Sequence, residues 1–344
     1  MKANRLYELD GLRGIAALAV VVFHYFYQYN NLYGHDFEIA QWTRFGFYGV
    51  HLFFMVSGFV IFWTLSKVER PMDFLWSRLS RLYPVFWVAI CVTSLVVYSF
   101  GLPGREARLT DLLFNYSMIH EYLGFRHVDG VYWTLSLELA FYFWMLLLFS
   151  FNQTRHIEGW LLCWVIIGAL TTHPDFALQL PAKLEKFLLL NYIELFAAGI
   201  CFYILKEGNA RPLTYLVLAA SVLSLFLQHS LSIALSLCLF YLVFYLAVTH
   251  RLAFLAAKPI VFIGTISYSL YLIHQNIGYV IINGFYENNL PAAWAIVTAF
   301  SISFLLAVLL TFKVERPAMR RLREYYKDND IPQLVDKLPL LGKR

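Results

Sequence analysis

Charged residues are scarce in this chain, and their scarcity is informative about its class. Of 344 residues only 14% are Asp, Glu, Lys or Arg, whereas 60% are hydrophobic and 18% are aromatic. The apolar residues form blocks of about 20 residues, the length of a helix that crosses a bilayer. The sequence therefore predicts an all-α, polytopic membrane helical bundle.

Several other signals are absent as well. The four cysteines, Cys91, Cys163, Cys201 and Cys238, lie in apolar segments without CxxC spacing, which indicates neither a disulfide framework nor a zinc site. There is no GxSxG motif for a nucleophilic serine, and no HxxxH or HExxH pair for a metal. The first apolar block has no small-residue cleavage site after it, so we expect it to remain as a span.

About ten apolar blocks are candidate transmembrane helices. With ten spans both termini lie on one side, which the positive-inside rule assigns to the cytoplasm. Only six of the 27 Lys and Arg residues fall on the other side, namely Arg44, Arg105, Arg108, Arg126, Lys183 and Lys186. The ten blocks are residues 9–29, 46–66, 79–100, 131–151, 159–173, 187–205, 213–228, 231–248, 259–283 and 292–313.

The predicted organisation is a membrane domain, 1–317, followed by a basic cytoplasmic tail, 318–344, that solvent or lipid headgroups would face. The outer loop at about 101–130 is long enough to cap the helices. The pentapeptide KVERP occurs at 67–71 and at 313–317. Because cations followed by proline end helices, both copies predict a helix stop. The basic residues follow one membrane face, so the bilayer, and not a nucleic acid, is the expected partner.

The first predicted span, LDGLRGIAALAVVVFHYF, carries two polar residues that lipid alone would not accommodate. Arg13 and His24 are 11 residues apart, which is about 16 Å along a helix and almost three whole turns. They therefore share one face, with Arg13 near the cytoplasmic edge and His24 in the outer half. An ionisable group inside a span costs several kcal/mol unless it faces protein or water, so each is a candidate functional residue.

Other polar residues are predicted within the spans. Glu138, in YWTLSLELAFYF, lies at nearly the depth of His24. Ser267, Tyr271 and His274 are spaced i, i+4 and i+7 and form one stripe that faces the bundle. Their alternative interpretation is interhelical hydrogen bonding and packing, which for Ser267 is the better one.

A second predicted cluster lies at the cytoplasmic side. Arg78 and Arg81, in WSRLSRLYP, are neighbours on one helix face, and Arg13 and Arg316 fall on the same membrane side. Guanidinium groups are forked donors suited to phosphates, although positive-inside topology and headgroup contact explain single arginines too.

These positions fit a ligand with phosphates at the cytoplasmic side and a reactive end about 16 Å deeper. Acyl-coenzyme A has that form. Arginines would bind its nucleotide, while His24 removes the proton of an acceptor hydroxyl and Glu138 orients the imidazole or stabilises its cation. A covalent acyl-histidine intermediate would use the same residues.

The sequence also resembles the acyltransferase 3 family of integral membrane O-acyltransferases. The resemblance is carried by LDGLRGIAALAVVVFH, GVHLFFMVSGF, SRLSRLYP, WTLSLE, SYSLYLIH and VERP, which occur in the family's order across nearly the whole chain. It implies transfer of acetyl or related groups from cytoplasmic acyl-coenzyme A to hydroxyls of surface carbohydrates or small molecules. It implies Arg13 and His24 as the principal pair, supported by Arg78, Arg81, Glu138, Tyr271, His274 and Arg316. We expect Asp10, Trp133 and Ser267 to be further supporting residues of the site.

Two features depart from the pattern of that family. Many relatives have an acidic residue where this chain has His51, which leaves the role of that position open. Some relatives continue into an extracytoplasmic SGNH hydrolase-like domain, which is not expected here. The chain would then acylate its acceptor directly or deliver the group to a separate protein.

The function predicted from these observations is O-acetylation of a lipid-linked or cell-surface carbohydrate in the bacterial inner membrane. Acyl-coenzyme A is the donor substrate, and neither a bound cofactor nor a metal is expected. One alternative is acylation of a small molecule such as a macrolide or an oligosaccharide. Another is a proton-coupled transporter, which should show inverted repeats that are not evident in the sequence.

Overall fold

A computed structural model of the protein describes residues 6–173, 180–329 and 331–335. Within these residues the regular secondary structure is helical and no strand is present. Ten long helices follow the ten predicted blocks. They are α1 (Tyr7–Val22), α2 (Gly49–Leu65), α3 (Pro71–Phe100), α4 (Trp133–Ser150), α5 (Ile157–Thr172), α6 (Ile193–Lys206), α7 (Pro212–Gln228), α8 (Leu231–Val248), α9 (Lys258–Glu287) and α10 (Ala292–Leu310).

The helices confirm the predicted class of polytopic helical membrane protein. Counted with their direct continuations, seven helical segments in the described residues are long and apolar enough to cross a membrane. Helices α5, α6 and α7 have 16, 14 and 17 residues, fewer than the roughly 20 that a perpendicular span needs. The number of ten spans and the cytoplasmic location of the termini stay predictions.

Two π-helical turns interrupt otherwise continuous helices. The first, Phe23–Gln28, extends α1 and leads into the short helix Tyr29–Leu32. The second, Thr311–Glu315, joins α10 to α11 (Arg316–Asp328). Pro317 has no backbone N–H for an i−4 bond, which explains a wider turn before it. The first KVERP copy is confirmed as a stop, since α2 ends at Leu65, whereas the stop predicted at the second copy is wrong.

The basic segment after residue 317 is partly a packed helix. The indole Nε1 of Trp76 donates to the carbonyl oxygen of Leu322 at 2.9 Å, and its ring stacks on Tyr326 with centroids 5.2 Å apart. The hydroxyl of Tyr326 donates to Asp73 at 2.8 Å. Helix α11 therefore crosses the predicted boundary at 317 and packs on α3. Residues 330 and 336–344 of the predicted tail lie outside the described residues.

The centre of the bundle is α9, which packs along both α1 and α10. The contact between α1 and α9 depends on glycines that let the two backbones approach. A Cβ atom on Gly264 would lie 1.8 Å from the carbonyl oxygen of Asp10, and one on Gly14 would lie 2.8 Å from the backbone nitrogen of Gly264. Small residues at such crossings are typical of membrane helices.

Replacement of Gly264 by alanine is therefore expected to destabilise the bundle. The new methyl group must push α1 away from α9, and we expect the apparent Tm to fall by roughly 5–10 °C in a thermal scan of the detergent-purified protein. Gly284→Ala is the matched control in the same helix, because a Cβ there meets nothing within 4 Å. Equal Tm values for the two variants would contradict this packing.

The loop between α3 and α4 is folded over one end of the bundle, here named the loop side. It contains the short helices Leu109–Asn115 and His120–Leu123. The carboxylate of Glu121 pairs with Lys186 and lies 3.8 Å from Nε2 of His127; burial raises the pKa of Glu121, but hydrogen bonds from these two groups outweigh it and lower the pKa to about 2. The opposite end, where α1 begins and α10 ends, is named the terminal side.

Candidate functional site

A cavity of about 780 Å³ lies between α1, α2, α3, α4 and α9. Along α2 it extends from Ile61 to Val50, which is about 16 Å of helix. We name it the arginine cavity. Six residues proposed from the sequence line it together: Arg13, Arg78, Arg81, Glu138, Ser267 and Tyr271. The convergence of residues from four distant segments could not be shown from single helices.

The three arginines of this cavity differ in their contacts with carboxylates. Arg13 lies 4.0 Å from Asp10. Arg78 is buried and donates from Nε and Nη2 to the hydroxyl of Ser77, at 3.2 and 3.1 Å. Neither Arg78 nor Arg81 forms an ion pair in the described part of the chain, although Glu315 and Glu138 lie within electrostatic range of Arg81. Guanidinium groups with no ion-pair partner favour an anionic ligand, for which their forked N–H donors are suited.

Glu138 belongs to this cavity and not to the histidine. The hydroxyl of Tyr142 donates to its Oε1 atom, and both residues line the cavity beside Arg78 and Arg81. The expectation that Glu138 orients the imidazole of His24 is therefore not met by the structure. Glu138 was predicted at a depth in the bilayer similar to that of His24, but the orientation of α4 places Glu138 beside the arginines.

The neighbour of His24 is His274. Nδ1 of His274 lies 3.1 and 2.9 Å from the carbonyl oxygens of Leu270 and Tyr271, so it carries a hydrogen and Nε2 accepts in the neutral ring. That Nε2 atom lies 3.0 Å from Nδ1 of His24, which also lies 2.9 Å from the carbonyl oxygen of Val20. Nδ1 of His24 must therefore donate, and Nε2 of His24 keeps a lone pair.

Burial distinguishes the two histidines. His274 is fully buried, whereas His24 keeps part of its surface open. His24 also lies in the π-helical turn, a local widening that is frequent at functional sites. The arrangement is that of a reactive imidazole whose tautomer a second, buried imidazole fixes.

Tyr271 separates the arginine cavity from the histidine pair. It lines the cavity, and its ring centroid lies 5.9 Å from that of His274. Its hydroxyl contacts Thr134 at 2.8 Å and the carbonyl oxygen of Val131 at 3.1 Å. These bonds join α9 to the start of α4.

Three other residues singled out from the sequence are described here by their packing and hydrogen-bond contacts. The hydroxyl of Ser267 donates to the carbonyl oxygen of Gly264 at 2.8 Å, which fits its packing interpretation. Trp133 lies in an aromatic cluster, stacked on Phe47 with centroids 6.4 Å apart. His51 is buried away from the arginine cavity, and its Nδ1 atom has no hydrogen-bond partner in the described structure.

Arg316 is not brought to the site. Its side chain is exposed and its guanidinium lies over the ring of Phe312, 4.4 Å from the centroid. The π-helical turn directs the preceding residue inward instead, since Glu315 is buried and accepts from the hydroxyl of Ser269 at 3.3 Å. Glu315 was missed by sequence reasoning, although its place before Arg316 and Pro317 was a usable signal.

A second cavity, of about 870 Å³, opens on the loop side. Sequence reasoning did not find it, because the loop and α9 form it jointly. Its polar lining includes Tyr33, Arg105, Arg126, His127 and Asn276. Along α9, Tyr271 lines the arginine cavity, His274 contacts His24, and Asn276 lines this loop-side cavity.

Comparison with known proteins identifies relatives of the chain. Residues 6–312 match the model of a family described as an acyltransferase domain, Acyl_transf_3. The acyltransferase MdmB of Streptomyces mycarofaciens is 29% identical over 194 residues, which are 53% of this chain and 49% of MdmB. BcsY of Komagataeibacter xylinus, to which a membrane-bound transacylase activity is attributed, is 26% identical over 79% of this chain and 72% of BcsY.

A shorter match is to the O-acetyltransferase OatA of Staphylococcus aureus, 32% identical over 24% of this chain and 13% of OatA. The aligned region thus spans about half the length of MdmB and a small part of OatA. No solved structure matches the chain. The family match covers nearly all of the helical bundle, including both cavities and the histidine pair, so the chain belongs to the acyltransferase 3 family.

Proposed function

We propose that this protein transfers an acyl group, most simply acetyl, from acyl-coenzyme A to a hydroxyl of a lipid-linked or cell-surface carbohydrate. The observation that carries the proposal is the order along α9, where His274, the partner of His24, lies between Tyr271 and Asn276, which line two cavities of different character. One cavity offers three arginines, of which Arg78 and Arg81 form no ion pair in the described residues, and the other opens beneath a polar loop. A donor and an acceptor can therefore approach His24 from opposite sides of a bacterial inner membrane.

The donor would enter from the terminal side, which we assign to the cytoplasm from the distribution of Lys and Arg. Arg13, Arg78 and Arg81 would bind its phosphates as forked donors. The cavity follows α2 for about 16 Å, so it can hold an extended pantetheine arm with the thioester toward Tyr271.

The reaction then follows from the lone pair on His24. Nε2 accepts the proton of the acceptor hydroxyl as its oxygen attacks the thioester carbonyl and a C–O bond forms. When the tetrahedral intermediate collapses, the C–S bond breaks and the coenzyme A thiolate takes the proton from Nε2. His274 keeps Nδ1 of His24 as the donor throughout and thereby orients the base.

An oxygen acceptor is supported by the relatives as well as by the site. OatA is named an O-acetyltransferase, and the loop-side cavity offers polar groups suited to hydroxyls. A carbohydrate fits both the O-acetyltransferase relative and the polar cavity, because it offers several hydroxyls and has no large apolar face that would require an apolar pocket.

The proposal is tested with purified protein in detergent or proteoliposomes. Labelled acetyl-coenzyme A and an extract of lipid-linked surface glycans should give free thiol and labelled glycan in equal amounts. Thiol release that needs no acceptor would indicate hydrolysis. Absence of both products with every glycan fraction, while small alcohols are acetylated, would overturn the carbohydrate assignment.

A further inference from the structure

The loop-side cavity has an excess of positive charge. Arg105 and Arg126 line it together with His127, against the single carboxylate of Glu106. Neither arginine forms an ion pair in the described residues, and Arg105 lies close enough to His24 for a direct electrostatic interaction. A neutral sugar would not require a cavity lined by two arginines.

Arg105 is held in place by uncharged groups. Its Nη1 atom donates to Oδ1 of Asn276 at 3.4 Å, and its guanidinium lies 5.3 Å from the ring centroid of Tyr279. Tyr33 provides a further polar contact. These hydrogen-bond partners are neutral, and the buried carboxylate of Asp129 lies within electrostatic range without forming an ion pair with Arg105 in the described residues, so the remaining N–H donors of the guanidinium are available to a ligand.

The wall that carries Arg126 is also fixed before any ligand binds. Its backbone nitrogen donates to Asp111 at 3.0 Å, and its carbonyl oxygen accepts from Asn115 at 2.8 Å. Val128, two residues further along the same wall, donates from its backbone nitrogen to Asn115 at 3.1 Å and accepts at its carbonyl oxygen from Asn276 at 2.9 Å. A wall held by four hydrogen bonds does not have to be ordered on binding, which favours affinity.

A buried amide without a partner lies beside Arg105. Gln275 is 97% buried, its Oε1 atom makes no hydrogen bond, and its remaining contact is a 3.4 Å bond to Tyr279. A Cβ atom on Gly130 would lie 2.6 Å from this Oε1 and 3.1 Å from Nη1 of Arg105, so the missing side chain leaves the amide and the guanidinium side by side. A buried unpaired amide favours a ligand with a hydroxyl to share.

From these contacts we propose that the loop-side cavity binds an anionic sugar, with its carboxylate or phosphate on Arg105 and Arg126, beside Gly130 and the unpaired amide oxygen of Gln275 behind it. This inference deepens the proposed function and rests on it, because the bound sugar would be the acceptor. Neighbouring hydroxyls of the same ring would then face His24, whose partner His274 lies two residues before Asn276 on α9.

The test measures binding with no need for turnover. Methyl glucuronide and methyl glucoside differ only in a carboxylate in place of a hydroxymethyl group, and their dissociation constants can be compared by titration against the purified chain. We expect the glucuronide to bind roughly 10-fold tighter, as a charge-assisted hydrogen bond would allow. Glucose 1-phosphate should also bind more tightly than methyl glucoside. Glycerol 3-phosphate, which represents a lipid headgroup, should bind more weakly than the two anionic sugars.

Substitutions at Arg105 test whether this residue causes the preference for methyl glucuronide over methyl glucoside. Arg105→Gln should reduce the preference to within roughly twofold. Arg105→Lys should keep part of it, because lysine retains the charge but lacks the forked donors of a guanidinium. Arg108→Gln is the matched control, since Arg108 lies in the same loop but outside the cavity. Equal binding of both glycosides by the native chain, a preference that survives Arg105→Gln, or tightest binding of glycerol 3-phosphate would each overturn the inference.

The two proposals fail separately. A chain that prefers the glucuronide but releases no thiol from acetyl-coenzyme A contradicts the proposed function alone. A chain that acetylates a glycan but shows no preference for anionic sugars contradicts this inference alone.

Discussion

Replacement of His24 by alanine is expected to lower kcat for acyl transfer by at least about 1,000-fold, within the range that a positioned general base contributes. Nε2 of His24 is the one imidazole nitrogen of the pair with a free lone pair, since His274 uses both nitrogens. Without His24 the remaining imidazole is that of His274, which is fully buried. The measurement is the rate of labelled glycan formation at saturating acetyl-coenzyme A.

Donor binding and folding should survive this substitution. The arginine cavity does not include His24, so the dissociation constant for coenzyme A should change by less than roughly twofold. His156→Ala is the control for general effects of histidine removal, because His156 is exposed and lies in a turn between α4 and α5. It should keep full activity.

Adding free imidazole to the His24→Ala variant provides a second test of the role of His24. A small base that enters the space left in His24→Ala should restore part of the rate, and the restored rate should follow the fraction of neutral imidazole as pH rises. Full activity of His24→Ala would exclude the base assignment. Loss of coenzyme A binding in this variant would instead place His24 in the donor site.

The class of the protein and the inward position of Arg13 were accessible from the sequence for one reason. An arginine within an apolar segment is costly unless protein surrounds it, so Arg13 was expected to face the interior, whereas headgroup contact remained an alternative for Arg78 and Arg81. Helix direction, which follows from chain order, placed the three arginines at the same end of the bundle. Their convergence on one cavity depended on how the helices pack.

The partner of His24 was not accessible in the same way. Residue spacing gives depth and face: it matched Glu138 to the depth of His24 and placed His274 on a stripe that faces the bundle. Which of them meets His24 depends on the rotation of α4 and α9 about their axes, and that is set by contacts such as those of Gly264 with Asp10 and of Tyr271 with Val131. These contacts are properties of the packed bundle.

Arg316 shows a second limit of sequence reasoning. A regular helix or a helix stop would each give a definite position for this side chain, but the chain makes a π-helical turn before Pro317 and continues as α11. The extra residue in the turn rotates every later side chain, so Glu315 faces inward and Arg316 outward. The motif was informative, but the functional candidate within it was the neighbouring residue.

Replacement of Arg78 by glutamine is the change with the largest expected effect on donor recognition. The native guanidinium is buried and bonded only to its neighbour Ser77, so its donors remain for a phosphate. Loss of one charge-assisted contact of about 1.5–3 kcal/mol should raise the KM for acetyl-coenzyme A roughly 10- to 100-fold, with kcat little changed. Steady-state kinetics and direct titration of coenzyme A measure the two quantities separately.

The folded state should tolerate the loss of Arg78. Its charge is desolvated and lies near Arg81, and no carboxylate forms an ion pair with it in the described residues, so its removal leaves no buried anion without a partner. Arg316→Gln is the matched control, because that guanidinium is exposed over Phe312 outside the cavity. We expect its KM to stay within roughly twofold of the native value.

A comparison of two acyl donors distinguishes phosphate binding by Arg78 from a role in shaping the cavity. S-acetylpantetheine carries the reactive thioester without the nucleotide and its phosphates, so the native chain and Arg78→Gln should use it with similar KM values. A large KM effect with acetyl-coenzyme A and none with S-acetylpantetheine would assign the phosphates to Arg78 in the manner of a double-mutant cycle. An equal effect on both donors would mean that Arg78 shapes the pantetheine channel, and the phosphates would then have to be bound elsewhere on the terminal side.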